Sequence, residues 1–151
     1  MRLAIAITRD GINAGQTPFG AVIVSRAQGV VAATHNTVWR DTDPTAHAEV
    51  NCIRAAARAL GTIDLHGTTM YTTTEPCPMC LAAIHWAKID CVYYGASIAD
   101  AAAAGFKELF ISAEFMAREG KSPLKVIGGL LQVECKGLFD EWRHSAKSVA
   151  Y

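Results

Sequence analysis

Two short clusters constrain this chain more than any other feature. His47-Ala48-Glu49 is followed by Pro76-Cys77-Pro78-Met79-Cys80, with Cys77 standing 30 positions after His47. Imidazole and thiolate together suit a transition metal such as zinc. Three donors drawn from two distant places oblige the fold to bring those places together. Thr45 to Leu60, rich in Ala and stopped by Gly61, reads as a helix. Pro76 to Trp86 reads as a second, with proline at its start. His47 then sits at the beginning of one helix, while Cys77 and Cys80, three apart, point the same way at the beginning of the other. Exposed N–H groups and the positive end of the helix dipole favour thiolate over thiol there. Two helix beginnings are expected to converge on one cation.

The residue types indicate what such a cation does. Catalytic zinc takes three protein ligands and keeps a fourth position for water, whose pKa it lowers toward neutrality. His47, Cys77 and Cys80 supply three. Glu49 is too near His47 to be a strain-free second ligand on the same helix side, and it can reach the water instead. A carboxylate there can take the water's proton, hand it to a ring nitrogen and then to a leaving amine. Hydroxide adds to an amidine-like carbon and ammonia departs. A structural zinc, or no metal, is the alternative. A structural site needs a fourth ligand, for which His35, His66, His85, Cys52 and Cys91 qualify by type but stand in no paired motif. The ordered pair H-x-E then P-C-x-x-C is the signature of zinc deaminases. It predicts one Zn²⁺ per chain, with Glu49 moving the protons.

Around these clusters the chain shows no repeat, low-complexity tract or linker, and 151 residues suit one compact domain. Residues 2–14 read as an amphipathic helix with Leu3, Ala6 and Ile7 on one side. Phe19–Val24 and Val30–Thr34 form a predicted hairpin through Gln28-Gly29. Residues 36–44 read as loop. Thr69–Thr74 and Cys91–Tyr94 flank the cysteine helix as a βαβ unit, so these two strands should be parallel. Ala101–Phe110 is expected to be helical, a strand is expected within Leu124–Val133, and Cys135–His144 closes as a helix. The stretch before Leu124 is long enough for a crossover helix, so the last strand can also run parallel. The expectation is an α/β fold with a central mixed sheet of about five strands and helices on both faces.

Composition narrows the partners. Lys+Arg and Asp+Glu both number 14, a formal net charge of zero. That balance lacks the electrostatic footprint of a polyanion binder and favours a small substrate over nucleic acid. The five cysteines, odd in number with one tight pair, do not form a secreted disulfide framework. The apolar run at residues 1–10 is too short to span a membrane and has no signal-cleavage region. The reading is a cytoplasmic protein.

Four segments carry a family resemblance: Pro18–Val24, Asp43–Val50, Glu75–Leu81, and Asp100 through Gly105-Phe106. The chain resembles the cytidine-deaminase superfamily and, within it, the small bacterial guanine deaminases, over nearly its whole length. The resemblance implies a three-layer α/β/α fold, a purine-base substrate, and conversion of guanine to xanthine and ammonia. It also implies site residues. Asn36, eleven positions before His47, takes the place of a substrate-binding asparagine, and an amide can both donate to and accept from a purine edge. Phe19 matches an aromatic that packs on the ring, and Trp86 one near the pocket. Where these guanine deaminases carry an aspartate that contacts the purine, this chain has Lys107-Glu108, and Glu108 is one methylene longer. Tyr151 ends the chain as a tyrosine does in relatives whose C-terminal segment crosses to a partner subunit. Residues 145–151 are therefore expected to close an active site in a homodimer, with Tyr151 covering a pocket.

Other readings share the zinc chemistry. A tRNA adenosine deaminase has the same metal motifs but needs a basic surface. Cytosine, guanosine or another amino-substituted heterocycle would be attacked in the same way. A catalytically dead binding or editing-accessory protein is a different class, against which the presence of Glu49 counts, and a zinc-stabilised binding module is the remaining non-enzyme alternative.

Overall fold

The computed structural model describes residues 1–145 and 149–150. Among them the sheet has five strands: β1 Gly20–Ser25, β2 Gly29–His35, β3 Thr68–Thr74, β4 Cys91–Ala96 and β5 Lys125–Ile127, in the order β2-β1-β3-β4-β5. β1 runs antiparallel to both β2 and β3, while β3, β4 and β5 are parallel. The mixed sheet, the hairpin and both parallel pairings agree with the sequence expectation. The helices are α1 Arg2–Asn13, α2 Val38–Asp41, α3 Ala48–Leu60, α4 Pro78–Trp86, α5 Ile98–Ala103, α6 Ala113–Glu119 and α7 Gln132–Arg143. α3, α4 and α6 cover one face of the sheet, and α1 and α7 the other. The result is three layers with one apolar core on each side.

The buried face of α1 differs from the expected one. Ala4, Ile5, Thr8, Gly11 and Ile12 face inward, while Leu3 is exposed. Closeness decides this, because small residues let the helix lie directly on β1. The Thr8 hydroxyl donates to the Ala4 carbonyl at 2.8 Å. On the same face a Cβ at Gly95 would run into the Cys135 sulfur and come within 2.9 Å of the Thr73 carbonyl, so only glycine lets α7 approach β4 this closely.

Three expectations need correction. The predicted helix over 101–110 begins earlier and ends at Ala103. Ser97 and Asp100 form a capping box that starts it, and Gly105, at φ 106°, breaks the alanine-rich run. Residues 104–112 are consequently irregular, and a second short helix starts at the Ser112 cap. The strand in 124–133 is only Lys125–Ile127. The stretch 36–44, read as loop, contains the single turn α2.

Antiparallel and parallel pairings together decide where the site falls. Gly20 pairs with His35, Ala21 with Thr72 and Thr74 with Ala96. The start of β1 and the ends of β2, β3 and β4 therefore share one rim of the sheet. Ser25, Gly29, Thr68, Cys91 and Lys125 share the opposite rim.

Candidate active site

Both ligand clusters lie at this first rim, each immediately before a helix. His47 is the N-cap of α3, extended at φ −65° and ψ 155°, and Cys77 is the N-cap of α4 at φ −63° and ψ 165°. The two helices thus begin three and two residues later than expected, and His47 and Cys77 precede them. Neither residue makes a side-chain capping hydrogen bond, so both side chains are directed to each other's cluster instead. Pro78 occupies the first position of α4, where its missing N–H costs nothing. Cys80 follows one turn on and is fully buried.

His47 Nδ1 lies 3.8 Å from Cys77 Sγ and 3.5 Å from Cys80 Sγ. All three ligand atoms fall within 4.8 Å of one another. A tetrahedral zinc with ordinary Zn–S and Zn–N bonds requires S···N separations of about 3.6 Å. The donor set and its spacing therefore fit zinc. Among the described residues these three are the group of His, Cys, Asp or Glu side chains that converges in this way. The other candidate ligands lie elsewhere. Cys52 is buried against the Ala21 and Ala32 carbonyls, His66 pairs with Asp90, and His85 bonds Ser122. Cys91 is on the opposite rim, and His35 Nδ1 contacts the Asn36 carbonyl.

The site's own charges show how it is prepared for a cation. The Cys77 sulfur is held down at about 4, first by the hydrogen bond from the Cys80 thiol and also by His47. The Cys80 thiol is correspondingly pushed up, by that same bond and by burial. Burial works to lower the His47 imidazole, but the Cys77 thiolate and the Glu49 charge outweigh it and raise the group. The arrangement holds protons where a metal would sit, and a metal displaces them. Glu49, in the first turn of α3, is 6% exposed, and burial above all pushes its carboxyl up to about 7. A carboxyl so placed, beside the ligands but not among them, can take a proton from a neighbouring water and pass it on.

A cavity of about 260 Å³ opens beside the cluster, and its walls include His47, Glu49, Cys77, Phe19, Phe106 and Glu108. Phe19 meets Phe106 edge to face at 4.7 Å, so it is at once a core residue and a cavity wall. Glu108 is half-buried, and burial, followed by the Cys77 charge, raises its carboxyl. Asn36, fully buried at the end of β2, has its Oδ1 bound by the Val38 N–H at 3.0 Å. It stands on the same rim but is not among the residues that line the cavity. Trp86 departs from expectation. It is 79% exposed at the far end of α4, about 13 Å along the helix from Cys77 at 1.5 Å per residue. Tyr151 lies outside the described residues. Sequence reasoning missed Glu75, a buried carboxylate at the cavity. Glu108, named from the resemblance, does line the cavity, but it stands on an irregular segment, Phe106 to Leu109, and not on the expected helix.

The family model of the cytidine and deoxycytidylate deaminase zinc-binding region matches residues 1–96. The chain belongs to that family and is a zinc-dependent hydrolytic deaminase. It is 41% identical to a guanine deaminase of Bacillus subtilis over 100% of this chain and 96% of the relative. It is 32% identical to a tRNA-specific adenosine deaminase of the same organism, over 99% and 92%. A solved guanine deaminase of Nitrosomonas europaea superimposes with a TM-score of 0.84 at 28% identity, covering 92% of this chain and 80% of that one.

Proposed function

We propose that the enzyme deaminates free guanine to xanthine and ammonia. The observation that carries this reading is a second carboxylate, Glu108, in the same small cavity as the His47-Cys77-Cys80 cluster and Glu49. A carboxylate oxygen accepts hydrogen bonds. Free guanine offers ring N–H groups to it, and a nucleoside has lost the imidazole N–H to its sugar bond. Such a partner discriminates strongly, because a substrate lacking the N–H leaves it unpaired. The similarity to guanine deaminases and the zero net charge support the same substrate.

When held by His47, Cys77 and Cys80, zinc supplies water activated for attack near neutral pH. Glu49 takes that water's proton, delivers it to the purine ring and then to the departing amino group. Phe19 and Phe106 wall the ring and exclude water. Glu108 orients the base so that C2 faces Glu49. The test is an ammonia-release assay with guanine, guanosine, cytosine, adenine and an anticodon stem-loop. Guanine is expected to give the highest kcat/KM. Turnover of the stem-loop but not of free bases would favour the adenosine-deaminase reading, for which the 32% full-length similarity speaks.

The reading includes a cytoplasmic homodimer closed by its tail. Five free cysteines fit a reducing compartment, and among the described residues no helix is long and apolar enough to cross a membrane. Leu109, at the cavity, and its neighbour Phe110 are exposed apolar residues, which suits a second subunit. The Trp39 indole donates to the Val149 carbonyl at 3.0 Å, and Ala150 packs against the core that includes Phe106. The tail is proposed to cover a pocket of the partner subunit in that homodimer, as the resemblance implies. Deleting residues 145–151 is expected to raise KM or lower kcat several-fold with zinc retained. Unchanged kinetics would remove the lid. Sedimentation of the intact protein as a monomer would remove the dimer.

A further inference from the structure

Glu75 precedes the Pro76-Cys77 ligand turn and is 7% exposed. Its backbone N–H donates to the Ala96 carbonyl at 2.8 Å, which continues the β3–β4 ladder. Its side chain does something the metal motif does not require. One carboxylate oxygen accepts the Ile98 N–H at 3.0 Å, and the other accepts the Ala113 N–H at 2.8 Å. These are the first residues of α5 and α6. Their caps leave both donors open, because Ser97 bonds the Asp100 N–H and Ser112 bonds the Phe115 N–H. One buried carboxylate therefore satisfies the first N–H of two consecutive helices.

Between those helices runs the irregular segment 104–112, which carries Phe106, Lys107, Glu108 and Leu109 into the cavity wall. Among the described residues, the backbone hydrogen bonds donated from 107–112 are Glu108 to Phe106 and Ile111 to Leu109, both internal. Phe106 is anchored in the core by Phe19, Phe139 and Trp142, while Lys107–Leu109 beyond it make, among the described residues, only these local backbone bonds before the second end. Both ends are tied to the residue beside the ligand turn.

We infer that Glu75 is a positioning residue: its carboxylate clasps both ends of the 98–113 segment to the ligand turn and so sets where Glu108 stands relative to the reacting base. The inference rests on the deaminase reading for its kinetic consequence, whereas the clasp itself is independent of the substrate.

Glu75→Gln offers one acceptor and turns an N–H₂ toward the other donor, which breaks one bond of the two. Faster amide exchange at Ile98 or Ala113 and freer proteolysis within 104–112 are expected, with one zinc per chain retained. For whichever base of the panel is turned over, KM should rise about tenfold with kcat changed less, since ground-state contacts are what is lost. Ala113→Pro removes the donor and leaves Glu75 and the ligand turn intact. Ser112 already has the extended backbone a following proline demands, φ −64° and ψ 147°, and the first helical position tolerates proline. The same rise in KM is expected from it. Unchanged KM and exchange in a folded Glu75→Gln protein would overturn the clasp. So would an unchanged KM in a folded, zinc-loaded Ala113→Pro protein, which would make Glu75 a support for the ligand turn alone. Should Glu75→Gln fail to fold, Ala113→Pro decides by its KM. If no base in the panel is turned over, exchange and proteolysis still decide the clasp.

Discussion

Glu49→Gln is expected to keep its zinc and to lose about 10²–10⁴-fold in kcat, the usual worth of a positioned acid–base group. The carboxyl is buried in the first turn of α3, two residues beyond the ligand His47 and outside the ligand set. Glutamine preserves its shape and its hydrogen-bonding reach but cannot accept and release a proton. Because one group serves both the ring nitrogen and the leaving amine, no second residue takes over the transfer. KM should change little, since Phe19, Phe106 and Glu108 remain in place. Metal analysis, circular dichroism and steady-state kinetics on one preparation check this. Turnover like that of the parent in a zinc-loaded Glu49→Gln protein would remove Glu49 from the mechanism.

Cys80→Ala should have the opposite signature, with the metal lost and the chemistry lost with it. Cys80 is fully buried and lies 3.5 Å from His47 Nδ1, so no solvent molecule readily replaces its sulfur. Outer partners of a metal ligand are each worth about 10–100-fold in affinity, and a ligand itself should exceed that. After dialysis against a chelator the variant should hold far less than one zinc per chain and show no measurable ammonia release. Cys91→Ala, on the opposite rim, is the control and should keep both. A Cys80→Ala protein with full zinc and full turnover would exclude the three-ligand centre.

The metal centre was legible in the sequence because ligand chemistry is local. Cysteines three apart at a helix start and a histidine one helix earlier limit the geometry severely. The hairpin and the parallel direction of the later strands followed from connection lengths in the same way, but the placing of β1 between β2 and β3 did not. The cavity wall was not legible. Ala101 to Ala104 look helical by propensity, and the break depends on Gly105 adopting φ 106°, which a glycine permits but does not announce. The Ser112 cap was a local signal for α6 that the reading passed over. The two partners of Glu75 could not be found in the sequence. They lie 23 and 38 positions away and are backbone groups, which no residue type marks. Trp86 shows the converse. Placing a residue on the ligand helix does not place it at the ligands, because α4 carries it away from them.

The division of the sheet into two rims has a practical consequence for handling the enzyme. Chemistry is confined to the rim with Phe19, Asn36, Thr74 and Ala96, while the exposed turn at residues 26–29 and the connection around Gly61–Asp64 belong to the other. Five residue steps along β1 separate Gly20 from Ser25, about 17 Å at the rise of a strand. A fluorophore, an affinity handle or a surface tether joined at Gln28 would hang from that far side. Its bulk would leave the mouth of the cavity clear for a diffusing base, so immobilised enzyme could turn over substrate with its working edge directed into solution.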